Sequence, residues 1–266
     1  MFADDCTLIF TNINSLITEC NDDLALFKSW SDANRLTINT SKTNCLFISN
    51  RFYTPSPGCI QLDDHDLNFV SDSRFLGVVI DDHLKYNKHI QYICDKISKS
   101  IGIMSRIRHY VPLSCLRSLY FSIVHPYFLY CLPVFGATYP THLKPLITLL
   151  KRAIRIISGA VFPAHTEPLF RSNKILKLMD LYDHSLGCYI YDNPNLLEDF
   201  ARTHKYNTRN ANQFRIPIDR LRSTEQSVLH NAIRVWNNIP ADVKACRTKQ
   251  SFKYQYKQVL LNSYSS

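Results

Sequence analysis

The chain has 266 residues, 45% of them hydrophobic and 20% charged, a mix that excludes collagen-like, low-complexity and wholly disordered material and leaves one large domain or two small ones. Its net charge of +9 is unevenly placed, with 6 basic and 12 acidic residues in 1–86 but 25 basic and 10 acidic in 87–266. The front is acidic and the back suits a polyanion, although a basic protein with no such partner has the same balance.

The nine cysteines include no C-x-x-C pair, which removes a zinc ribbon or a thioredoxin-like site. Cys6, Cys45, Cys94 and Cys131 sit among apolar residues and are expected to be reduced core thiols in a reducing compartment. No basic segment followed by an apolar one opens the chain, so no secretory signal is expected. The most apolar stretch, 120–137, is interrupted by His125, Pro126 and Pro133. It predicts a buried helix broken at a proline rather than a membrane span.

In chain order, Phe2-Ala3 leads into Asp4-Asp5 and then into an apolar, β-prone run, 6–10. The pattern predicts two short strands around a turn that projects two carboxylates. Such a pair can hold hard divalent cations for phosphoryl transfer, but aspartate is also an ordinary turn residue. Leu16, Cys20, Leu24 and Phe27 recur at helical spacing, predicting an amphipathic helix through Trp30 to about Asn34. Asn39, Lys42 and Thr43 precede a short apolar strand at 45–48, and 51–58 is expected to be a loop. Another apolar run, Phe75-Leu76-Gly77-Val78-Val79-Ile80, ends in Asp81-Asp82-His83-Leu84, with His89-Ile90 behind it.

This order of motifs resembles the C-terminal half of a non-LTR (LINE-type) retrotransposon reverse transcriptase. Phe2-Ala3-Asp4-Asp5 matches that family's F/Y-x-D-D palm motif, Asn39-x-x-Lys42-Thr43 the motif that follows it, and Phe75-Leu76-Gly77-Val78 its primer-grip hairpin. The resemblance implies that Asp4 and Asp5 are palm carboxylates holding Mg²⁺, with Asp4 the direct ligand of both ions. Lys42 would stand near the triphosphate as a general acid for departing pyrophosphate, and a solvated loop lysine is the equal alternative. Phe75, Leu76, Gly77 and Val78 would support the primer 3′ end, or be buried as an ordinary strand. The implied partners are an RNA template, a DNA primer and deoxynucleoside triphosphates, in the cytoplasm or nucleus and not at a membrane. The family's palm also uses a third carboxylate, on a strand expected before residue 1, as are the fingers. The chain is therefore expected to be a truncated reading frame, or one begun at an internal methionine.

Further on, Ile90, Ile93, Ile97, Ile101 and Met104 mark one face of a long helix, with Lys88, Lys96, Lys99, Arg106 and Arg108 on other faces. A second helix is expected after Pro112, through Leu116, Leu119, Ile123 and Val124, disturbed at Pro126. A third, with Pro140 and Pro145 flanking its start, buries Leu143, Leu146, Ile147, Leu150, Ile154 and Ile157. Its opposite side carries Lys144, Lys151, Arg152 and Arg155. In the family, three helices at this place form the thumb, which grips primer–template phosphates; a solvated basic face is the alternative. A further helical segment is centred on 174–191.

Arg202, Lys205 and Arg209, with Tyr206 and Phe214 nearby, suit single-stranded nucleic acid or a basic linker. At the tail, Trp236 is expected to anchor the core and a last helix to use Phe252, Tyr256, Val259 and Leu260. The expected fold class is α+β and predominantly helical: an incomplete palm at 1–86, a helical thumb at 87–160, and a mostly helical C-terminal region at 161–266 with a basic linker at about 201–224. The expected function is a fragment of an RNA-directed DNA polymerase, inactive alone. The alternatives are a non-catalytic nucleic-acid-binding remnant and a decayed copy without function.

Overall fold

The computed structural model describes residues 6–11, 16–49, 59–63, 65–161, 163–197, 213–216 and 226–264. They separate into two compact units, divided between Leu84 and Lys85.

The first unit has little regular structure. Helix α1 (Leu16–Ala33) is followed by β1 (Asn44–Leu46), β2 (Gln61–Leu62), β3 (His65–Asp66), β4 (Asn68–Val70), β5 (Asp72–Phe75) and β6 (Val78–Asp81). These make three two-stranded ladders: β1 with β4 in parallel, β2 with β3 and β5 with β6 antiparallel. Cys20 of α1 packs with Ile60, Leu62 and Leu67 in a small core. The strand predicted at 6–10 is not formed, and Cys6 is exposed rather than a core thiol. A strand persists only beside a paired neighbour, and no described residue pairs with this run. The loop expected at 51–58 lies outside the described residues.

The second unit is helical. Helix α2 (Asn87–Ile107) buries Ile90, Ile93, Ile97, Ile101 and Met104, the five residues whose spacing predicted it. Helix α3 (Leu113–Leu119) runs into a π-helical turn, Tyr120–Val124, and then α4 (His125–Leu129). The His125 amide reaches back five residues to the Tyr120 carbonyl. Pro126, which has no amide to donate, comes directly after, so the helix widens there instead of ending. The break falls at Tyr130 and Cys131, before the short α5 (Leu132–Phe135).

Helix α6 (Pro140–Ile157) holds Pro145 inside it, not at its start. It packs on α2. Helices α7 (Glu167–Ser172), α8 (Leu178–Asp192), α9 (Val228–Asn238), α10 (Ala241–Lys244) and α11 (Lys249–Asn262) complete the unit. Helices α9 and α11 begin with side-chain caps, from Ser227 to the His230 amide and from Thr248 to the Ser251 amide, each typical of a helix start.

One apolar core runs from Ile90 to Tyr264. Phe252 stacks on Tyr191 at 4.4 Å and on Trp236 at 6.0 Å, with Trp236 partly buried against the core. Val259 is exposed and Leu261 is buried instead. The chain turns back after α11, and the Tyr264 hydroxyl donates to Asp180 (2.5 Å) and accepts from the Lys177 amide (2.8 Å). Among the described residues no helix is long and apolar enough to cross a membrane.

Candidate nucleic-acid interface

In the first unit, Asn39 builds the turn that presents Lys42. Its side-chain oxygen accepts from the Ser41 hydroxyl (2.7 Å) and the Lys42 amide (3.2 Å). Its carbonyl accepts from the Thr43 hydroxyl (2.9 Å). Asparagine suits such turns because its side chain mimics a backbone carbonyl. The Lys42 side chain is left exposed.

The β5–β6 hairpin pairs Phe75 with Val78 across a two-residue loop. Leu76 and Gly77 both have positive φ, 46° and 84°, the requirement of a tight hairpin turn whose twist matches its strands. The apolar run is thus divided by its turn: Val78 is buried, while Phe75 and Leu76 are exposed at the tip, 41% and 39%. Below the hairpin, the Ser49 amide donates to the Asp82 carbonyl and the His83 ring bonds the Ser49 carbonyl, each at 3.0 Å.

Asp4 and Asp5, expected to hold Mg²⁺, lie outside the described residues, as do Arg202, Lys205 and Arg209. Among the described residues no group of three or more His, Cys, Asp or Glu could hold a metal ion.

In the second unit, α6 buries Leu143, Leu146, Leu150, Ala153, Ile154 and Ile157. Lys144, Lys151 and Arg152 are exposed on its other side. Thr148 lies between them, giving one stripe at helical spacing. Arg155 is partly withdrawn from it, because its Nε donates to the Ala164 carbonyl at 3.0 Å and ties down the following loop. On α2, Lys99, Ile103 and Arg106 are exposed, as are Arg108 and, at 86%, Tyr110 just beyond its end. Exposed cations with an exposed aromatic ring suit a phosphate backbone and its bases.

Among the described residues, burial shifts several titratable groups. Burial pushes the thiols of Cys94 and Cys188 up to about 11, which keeps them protonated at neutral pH. His125 is lowered to about 4, by burial first and then by the Lys257 charge, and its ring bonds the Tyr120 hydroxyl at 3.2 Å.

Lys257 is lowered from its ordinary range by burial first and then by the charges of Arg117 and Lys174, which lie far from it in sequence, so no local pattern signals this.

The first unit thus presents an exposed hairpin tip, and the helical unit an exposed basic stripe. The chain is similar to the RNA-directed DNA polymerase from mobile element jockey of Drosophila melanogaster, with 28% identity over 185 residues, 67% of this chain and 20% of that protein. It is similar to the probable RNA-directed DNA polymerase from transposon X-element of the same species, at 24% identity over 67% of the chain. It is also similar to the retrovirus-related Pol polyprotein from type-1 retrotransposable element R1 of Bradysia coprophila, at 24% over 40% of the chain. The resemblance to non-LTR retrotransposon reverse transcriptases is thereby borne out. The chain spans about a fifth of the length of the jockey and X-element relatives. No family profile and no solved structure matches it.

Proposed function

We propose that this chain is the back portion of an RNA-directed DNA polymerase and holds a primer–template duplex. The observation that carries this reading is the similarity to mobile-element polymerases over two thirds of the chain. In this reading, residues 1–86 are palm, 87–160 thumb and 161–266 a C-terminal region. The exposed stripe of Lys144, Lys151 and Arg152 contacts duplex phosphates, and Arg155 positions the loop beside it. Phe75 and Leu76 at the hairpin tip give the primer end an apolar support, and Lys42 faces the triphosphate.

Asp4 and Asp5 are hard oxygen donors of the kind Mg²⁺ takes, and when bound the ion neutralises charge on the phosphate oxygens.

Binding of a labelled RNA–DNA duplex to the 266-residue chain tests this. Affinity should fall steeply as salt rises, and Lys151→Gln and Arg152→Gln should each lower the slope of log K against log salt by about one unit. Absence of binding at ~50 mM salt, where phosphate contacts are strongest, sinks the reading. A second reading, a nucleic-acid-binding protein without catalysis, is favoured by the charge of 87–266, 25 basic against 10 acidic residues. Mg²⁺-dependent extension that is lost in Asp4→Ala would exclude it.

A further inference from the structure

The helical unit holds a cleft of about 420 Å³, within the range of roughly 300–1,000 Å³ that small-ligand sites occupy. It lies between α6, α7, the start of α8 and the turn after α11. Leu150 of α6, Phe170 of α7 and Leu178 of α8 line it and are buried, so its floor is apolar. Lys151, His165 and Met179 also line it but are exposed, which puts them at its mouth.

The walls are tied in place. The Arg155 bond to the Ala164 carbonyl (3.0 Å) fixes the loop that carries His165. The Tyr264 hydroxyl, bonded to Asp180 and to the Lys177 amide, joins the turn after α11 to the start of α8. The Lys177 ammonium stands 4.3 Å from the centroid of the Tyr264 ring and pairs with Glu167 of α7. Glu167, Lys177, Asp180 and Tyr264 all line the cleft. Two carboxylates, with Lys177 already paired, oppose a phosphate inside the cleft but not a neutral ring.

We propose that the cleft takes an unpaired nucleobase from a strand whose phosphate lies on the α6 stripe. Lys151 belongs both to the stripe and to the cleft mouth, so a backbone held there carries its neighbouring base to the opening. A base has apolar faces and a polar edge. Its faces suit Leu150, Phe170 and the Met179 thioether. Its edge suits His165, which can both donate and accept, and Asp180, whose carboxylate has acceptor capacity beyond the Tyr264 hydroxyl. An unpaired base enters most readily, because a paired one must first leave its stack. The position of the strand rests on the duplex reading; the chemistry of the cleft does not.

The three methionines of the chain supply the test. Met179 lines the cleft, and Met104 is fully buried in the core of the same unit. The full chain is labelled with ¹³C-methyl methionine, its signals are assigned with Met179→Leu, and it is titrated with adenosine 5′-monophosphate, with ribose 5-phosphate, and with two RNA–DNA duplexes of equal length, one fully paired and one with a single unpaired adenosine. The nucleotide and the unpaired duplex should move the Met179 methyl signal saturably and leave Met104 in place. Ribose 5-phosphate and the paired duplex should leave Met179 unmoved. His165→Ala should weaken nucleotide binding by about threefold or more, the loss of one hydrogen bond. If the nucleotide moves Met179 but neither duplex binds, the duplex reading fails and the cleft is assigned to free nucleotides. If both duplexes bind and neither they nor the nucleotide move Met179, the cleft is overturned and the duplex reading survives. An equal shift from ribose 5-phosphate, or unchanged affinity in His165→Ala, also overturns it.

Discussion

The two units use the same chain chemistry with opposite economy of burial. In the helical unit, α2 and α6 present long apolar faces to each other, and the core continues through α8, α9 and α11 to Tyr264. In the first unit, α1 buries only Cys20 and Ser31, and the strands are two to four residues long. Leu26 and Trp30 of α1 are exposed, 69% and 45%. Stabilisation scales with the apolar area removed from water, and among the described residues the helical unit has much the larger apolar core. The difference teaches where function can sit. The helical unit carries the exposed cations of α6, while the first unit carries the turn of Lys42 and the hairpin tip.

The comparison breaks most directly by cutting into each core. Ile101 lies fully buried between α2 and its neighbours, and Ile101→Ala should cost about 2–5 kcal/mol of the helical unit's stability. Leu62 is also buried, but its small surroundings can collapse around the space, so Leu62→Ala should fall at or below the low end of that range. Urea unfolding followed by far-UV circular dichroism should show Ile101→Ala shifting the main helical transition and Leu62→Ala leaving it in place. Equal shifts would mean that the chain unfolds as one cooperative body.

A smaller effect sharpens the comparison through pH. Burial raises Asp183 of α8 to about 6, partly offset by Arg234, so the folded state takes up its proton first. Its contribution to stability is complete in acid, below the ordinary carboxylate range, and is lost as pH rises through about 6. His125, lowered to about 4, works in the other direction: its contribution is present at neutral pH and is lost as pH falls through about 4. The two oppose each other across the interval between. Asp183→Asn removes one of them, so the unfolding midpoint should fall more steeply from pH 6 to pH 4 than in the wild type. An unchanged slope would show that the Asp183 carboxyl is not raised in the folded state.

The helical unit was the more legible of the two because its signal is local. The 3, 4, 4, 3 spacing of Ile90, Ile93, Ile97, Ile101 and Met104 states both the helix and its buried face, and the stripe Lys144–Lys151–Arg152 follows by the same geometry. Legibility failed where a neighbour far along the chain decides the outcome. The run 6–10 has strand propensity but no described partner, so Cys6 is exposed. Val259, expected in the core, is exposed while Leu261 is buried, at the end where Tyr264 bonds Lys177 and Asp180. Arg155 was assigned to the basic stripe by spacing, while its Nε is used by a carbonyl nine residues later. The π-helical turn before Pro126 was legible only as a disturbance, since a proline marks a missing donor and not how the backbone absorbs it.

The smallest effect concerns the hairpin tip. Leu76 stands at φ 46°, where a large side chain is disfavoured and Asn or Gly is tolerated. Asn-Gly is the preferred pair for a loop that needs positive φ at both positions. Leu76→Asn should therefore stabilise the β5–β6 hairpin by about 0.5–1 kcal/mol, seen as slower hydrogen exchange at Val79 and Ile80 with no change in the helical unit. If the exposed leucine serves only the fold, duplex binding should be untouched. If it supports a primer end, the more stable hairpin should bind a recessed 3′ end less tightly while binding blunt duplex as before. Faster exchange at Val79 and Ile80 in the variant would contradict the strain on which both expectations rest.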